Sequence, residues 1–164
     1  MNTANIEHFS VYGFTIDYPA TSHVELDRKS RRSSGTVTFH LTDTDKISVS
    51  WGDLQSALKR FQTVDDHAEH SLKIVKKGHG VKNFERISRD SLNVNSHRSA
   101  YNRVRFDEVI PRFITGSTTS PREVYSVHVH CPDSSRYFVI YTLTSDTDTE
   151  RLFSVMANSF QCHS

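Results

Sequence analysis

The sequence predicts an α+β fold: a twisted antiparallel sheet of about six to seven strands with helices packed on it, in one domain spanning residues 1–164. Three observations carry this. Apolar and polar residues alternate with a period of two over most of the chain, and a 3.6-residue period replaces that alternation in only two regions. Most gaps between alternating runs are too short for parallel crossovers, which need about a dozen residues. The length suits one domain, and Leu, Ile, Val and Phe make up about a quarter of it, above the roughly one-fifth below which chains fail to bury a core.

Taken in order, Phe14, Ile16 and Tyr18 alternate with Thr15 and Asp17 and stop at Pro19, as a half-buried strand does. Residues 27–35 set Arg28, Lys29, Arg31 and Arg32 among serines and read as a solvated turn. Val37, Phe39 and Leu41, then Ile47, Val49 and Trp51, form the two arms of a hairpin. Without Asn-Gly or Asp-Gly between them, a loop of four or five residues is expected. After Gly52 the period lengthens: Leu54, Ala57, Leu58 and Phe61 fall on one helical face. Thr63 with Asp66 is an acidic capping box, and Val64, Ala68, Leu72 and Val75 continue to Lys76, Lys77 and Gly78, a cationic last turn followed by a glycine stop. Two helical segments, broken near Thr63, therefore fill residues 53–77.

Alternation returns near residues 87–94, 100–109, 124–131 and 137–143, as an antiparallel meander. Residues 110–123 are expected to be a long loop, because Pro111, Gly116 and Pro121 fall within a Ser/Thr-rich stretch. Thr147 with Glu150 caps a closing helix over 147–161, whose stripe is Phe153, Met156, Ala157 and Phe160.

A formal net charge of +1 provides no long-range field to recruit nucleic acid or an anionic membrane. No stretch approaches the apolar length of a membrane span, and the first residues lack a leader's basic and apolar regions, so the expectation is a cytoplasmic protein, or a mature form whose leader has been removed, without membrane insertion. Cys131 and Cys162 are then reduced by default, and they could bridge if the closing helix packs beside the strand carrying Cys131. Ten histidines are the compositional oddity.

The succession of Phe-x-Ile-x-Tyr-Pro at Phe14 to Pro19, Val-Ser-Trp at Val49 to Trp51, Asp-Asp-x-Ala-x-x-x-Leu at Asp65 to Leu72, four meandering strands, and Asn-Ser-Phe at Asn158 to Phe160 resembles the PsbP-like (Mog-type/PsbP) superfamily over nearly the whole chain. That resemblance implies an α/β/α sandwich. It also implies a mostly non-catalytic role, since the superfamily includes accessory subunits of the photosynthetic water-oxidising complex, a Ran-GTPase-binding nuclear transport factor and chaperones of type VI secretion effectors. It transfers no catalytic residues, so function has to be argued from the site.

If Val37, Phe39, Val49, Trp51, Val104, Phe106, Val127 and Val129 face the helices, a period of two puts His40, Ser48, Ser50, Arg103, Arg105, His128 and His130 on the other face. That face, polar and locally basic, is either open or partly covered. It suits an anionic group or a partner segment. His128 and His130 share one side of a strand, and His40 would supply a third metal ligand, while Cys131 points the opposite way. His67 and His70 flank a helical stripe at the core boundary. In the expected loop, Ile110, Phe113 and Ile114 must fold back or meet a partner.

No Gly-x-Ser-x-Gly elbow, phosphate loop, dinucleotide fingerprint or His-Glu-x-x-His occurs, and nothing calls for a cofactor. The expectation is a non-catalytic binding or accessory module recognising a protein partner or a small anionic ligand through His40, Arg103, Arg105, His128, His130 or Phe113. The alternative is a metal-binding protein using His128 and His130.

Overall fold

In the computed structural model, which describes residues 5–114 and 116–164, nine strands and three helices follow one another. They are β1 (Ile6–Val11), β2 (Phe14–Pro19), β3 (His23–Leu26), β4 (Gly35–His40), β5 (Lys46–Asp53), α1 (Leu54–Leu58), α2 (Val64–Lys76), β6 (Val81–Val94), β7 (His97–Arg112), β8 (Gly116–Cys131), β9 (Arg136–Thr144) and α3 (Thr147–Ser159). Seven strands form one antiparallel sheet in the order β3-β4-β5-β9-β8-β7-β6, and β1 pairs with β2 in a separate two-stranded sheet. Of the described helices, none is long and apolar enough to cross a membrane.

Local chemistry accounts for the element ends. Leu41 to Asp45 make the five-residue β4-β5 loop, where Thr42 Oγ1 accepts from the Asp45 amide at 2.9 Å. Asp53 caps α1 by accepting from the Ser56 amide, and Thr63 caps α2 by accepting from the Asp66 amide at 3.1 Å. At α3 the cap is Asp146, one residue before the expected Thr147: its carboxylate takes the Asp148 amide at 2.9 Å, and Thr147 becomes the first helical residue.

The seven-stranded sheet is covered on both sides. Against one face lie β1-β2 and α3, enclosing Phe14, Ile16, Val37, Phe39, Val49, Trp51, Val127, Val129, Phe138, Ile140, Phe153 and Met156. Phe14 sits at the centre of this core, its ring 5.0 Å from Trp51 and 5.3 Å from Phe138. Across the other face lies α2, which buries Val64, Ala68 and Ala100 as a second, smaller cluster. Ion pairs fasten its outer side, with Arg86 on Glu69 at 2.7 Å and Arg98 on Asp65 at 3.0 Å.

Two expectations are corrected here. Residues 110–123 are not a loop: β7 and β8 stay paired out to Arg112 opposite Gly116. Pro111 lies beyond the end of β6 and Pro121 beyond the end of β9, so each can turn its missing donor to an open edge and forfeit no ladder bond. The facing assignment also changes in β7. Val104 pairs with Val124 and Ala100 with His128, so Val104 and Phe106 lie on the α2 side, whereas Arg103, opposite Tyr125, and Arg105, opposite Glu123, share the side of Val127 and α3. A sheet covered on both faces needs apolar residues on both, so the apolar parity of one strand does not carry over to the next.

Candidate functional site

His128 and His130 share one face of β8 as the alternation predicts, but the expectation that this face looks away from the helices is corrected: α2 lies across it and covers it. His128 is 1% exposed. Its Nε2 lies 3.0 Å from the Ser71 hydroxyl, and His130 Nε2 lies 3.0 Å from Nδ1 of His67. Ser71 and His67 are one turn apart on α2, and Phe61, from the turn before the helix, stacks on His67 at 4.5 Å. Burial, with His67 and His130 close by, pushes His128 down to about 3. Burial first, then the neighbouring His130, His70 and Arg60, pushes His67 to about 4. The cluster is therefore neutral at pH 7 and bound up in hydrogen bonds between helix and sheet. His40 takes no part in it. It sits on β4 with β5 and β9 intervening, and its Nε2 meets Glu25 at 3.0 Å. The three ligands of the metal alternative are thus not brought together.

On the α3 side, Arg103 and Arg105 line a cleft of about 280 Å3 with Glu123, Tyr125 and residues 144–147. Both guanidinium groups are taken up by carboxylates: Glu123 accepts from Arg103 at 2.9 Å and from Arg105 at 2.7 Å, and Glu150 of α3 accepts from Arg103 at 3.1 Å. Tyr125 donates a short hydrogen bond to the same Glu123 carboxylate. Burial works upward on Glu123, but the hydrogen bonds from Tyr125, Arg105 and Arg103 outweigh it and hold the carboxyl below its usual range. Burial and the same bond raise the Tyr125 phenol. Sequence reasoning missed Glu123 and Tyr125 because it put Glu123 in the expected 110–123 loop; only the longer β8 makes the two i, i+2 neighbours on one face of one strand.

Past this cleft the β7-β8 hairpin runs on without β6 or β9 beside it. Gly116, at φ +84°, supplies the left-handed conformation that hairpin closures of this length use. At the tip Phe113 and Ile114 are fully exposed and Ile110 is 40% exposed. They do not fold back.

No family model and no curated protein sequence matches the chain. Solved structures do. Cyanobacterial PsbP (CyanoP) from Synechocystis sp. PCC 6803 is similar at a TM-score of 0.66 and 18% identity, covering 98% of this chain and 94% of its own. The Ran-binding protein Mog1p of Saccharomyces cerevisiae is similar at a TM-score of 0.54 and 13% identity, covering 97% and 96%. With nearly the whole chain covered by both similarities, the chain has the PsbP/Mog1-like fold.

Proposed function

We propose that this protein is a non-catalytic binding or accessory module that recognises a protein partner through the tip of the β7-β8 hairpin. The observation that carries this reading is the pair Phe113 and Ile114, two large apolar side chains held in water at the end of a paired, unsupported hairpin. A paired hairpin has less backbone freedom to lose on docking than a structureless loop, and burying each side chain contributes about 2 kcal/mol, roughly thirtyfold in affinity. The likeness in fold to a Ran-binding protein supports a protein partner. A small anionic ligand on Arg103 and Arg105 is disfavoured, because Glu123 and Glu150 already neutralise them.

The test compares the wild-type protein with Phe113→Asp and Ile114→Asp as bait in native lysate, with melting temperatures measured in parallel. A partner held by the wild type and lost by both variants at unchanged stability supports the reading. Retention of the same partner by both variants removes it.

A further inference from the structure

At the far end of the same hairpin, roughly 50 Å from the tip at about 3.3 Å per residue, four side chains converge that are not involved in the hairpin-tip reading. They are His97 at the start of β7, Cys131 at the end of β8, and Cys162 and His163 in the segment after α3. One ligand atom from each lies within 4.8 Å of all the others, the only such group of three or more among the described residues. We propose that His97, Cys131, Cys162 and His163 form a closed tetrahedral Zn2+ site that fastens the C-terminal segment to the sheet.

The geometry suits that ion. Zn–S bonds of about 2.3 Å and Zn–N bonds of about 2.0 Å place sulfur and nitrogen roughly 3.5 Å apart in a tetrahedron. His163 Nδ1 lies 3.4 Å from the sulfur of Cys131 and 3.4 Å from that of Cys162. Both cysteines are free and fully buried, so two thiolate ligands and two imidazoles would complete the shell and leave no position for water. Soft sulfur with imidazole selects zinc over the hard cations magnesium and calcium.

The fold pre-positions each ligand. Ser99 pairs with Val129, so two residues further along the strands His97 comes opposite Cys131 on the same face. Gln161 bridges to Thr15 of β2, and the Asn95 side chain accepts the Cys162 amide at 2.7 Å, so the chain is anchored at the two residues that lead into His163. Beside the His97 ring, the Asp133 carboxylate lies 2.8 Å from Nε2, a carboxylate-imidazole pairing common around ligating histidines. That nitrogen is buried and makes no aligned hydrogen bond. The cross-strand neighbour of Cys131 is Arg136, 3% exposed, with its Nε and Nη2 unpartnered. A buried cation beside two thiols favours thiolate, the form that binds metal. The competing chemistry, a Cys131-Cys162 disulfide, makes no use of the two imidazoles.

The test uses untagged, full-length protein purified under reducing conditions. Elemental analysis should find one zinc per chain, and stripping the zinc with a chelator should lower the melting temperature by roughly 5 °C or more. Cobalt added to the stripped protein should give the intense visible bands of a tetrahedral centre with thiolate charge transfer in the near ultraviolet. Cys162→Ser should abolish binding. His97→Ala and His163→Ala, both at partly exposed positions, should weaken zinc binding at least tenfold with the circular dichroism unchanged, which keeps the test sound if the cysteine variant fails to fold. Three results would overturn the site: reduced apoprotein that takes up neither zinc nor cobalt, an octahedral cobalt spectrum, or uptake undiminished in both histidine variants. A mass two hydrogens short that persists under reductant and excludes zinc would instead establish the disulfide.

Discussion

Ser71 on α2 and His128 on β8 meet at 3.0 Å, hydroxyl oxygen to Nε2, on a face of the sheet that water scarcely reaches. It is the only hydrogen bond His128 makes through its side chain, since Nδ1 of the same ring has no partner among the described residues. Replacing Ser71 with Ala should therefore cost about 1–3 kcal/mol, because the imidazole would then be buried with both nitrogens unsatisfied. Adding His128→Leu should recover much of that loss by removing the orphaned polar group. Urea unfolding of the two single variants and the double variant measures this, and simple additivity of the two losses would contradict the account.

The same burial makes stability depend on pH. His128 is held near 3 and His67 near 4, both below the roughly 6.5 of an unfolded chain, so on acidification the unfolded state takes up protons first. The stability contributed by the two neutral imidazoles is complete above about pH 6.5 and drains away as the pH falls towards 4 and then 3. Melting temperature should drop between pH 7 and pH 5, a range above that in which most carboxylates titrate. His67→Gln should flatten the slope. Parallel slopes for variant and wild type would mean that other groups set the dependence.

Gly52 is where the backbone of β5 lets an aromatic ring pass. A Cβ there would come within 2.6 Å of the Tyr137 hydroxyl and 2.7 Å of its ring carbons, and that ring meets His67 edge-on at 5.1 Å. Gly52→Ala should destabilise by about 1–3 kcal/mol through overpacking. Shortening the obstructing side chain with Tyr137→Ser should make the double variant less destabilised than the sum of the two changes. Thermal melts of all four proteins decide it.

Glu123 and Glu108 are both paired with arginine, yet their removal should have unequal effects. Glu123 serves Arg103, Arg105 and Tyr125 and is 19% exposed, whereas Glu108 holds Arg122 alone at 36%. Glu123→Gln should lose about 1–3 kcal/mol, while Glu108→Gln should lose under about 1 kcal/mol. Equal losses in chemical unfolding would show that the shared carboxylate is no more than a surface ion pair.

Phe138 and Phe113 make the sharpest contrast of one residue type in two roles. Phe138, with no exposed surface and its ring 5.2 Å from Phe160, should lose about 3–5 kcal/mol as Ala. Phe113→Asp should stay within about 0.5 kcal/mol of wild type. A destabilised Phe113→Asp protein would mean that the tip packs on its own sheet.

Local pattern was enough to place most elements. The 2.0 and 3.6 periods locate β2, β4, β5, both helical segments after Gly52 and the closing helix within a few residues, because each depends on side-chain spacing along one stretch of chain. The β7-β8 hairpin past residue 109 was not legible. Prolines and serines there signal a loop, and whether a proline breaks a strand depends on where the neighbouring strand ends, which is not written near the proline.

Which side of the sheet each residue faces was settled between strands rather than within them. Alternation puts His128 and His130 on one side of β8, but the register of β7 against β8 gives the opposite side to Arg103 and Arg105, and the path of α2 decides that the histidines are covered. The same long-range register brings His97 near Cys131, and Cys162 and His163 join them from the far end of the chain, although the sequence directed attention to the histidine pair next door. Residues up to 66 positions apart meet there, His97 and Cys131 through the pairing of β7 with β8, and Cys162 and His163 through the Gln161–Thr15 bridge and the Asn95 hydrogen bond to the Cys162 amide. Spacing along a single segment carries no information about that alignment.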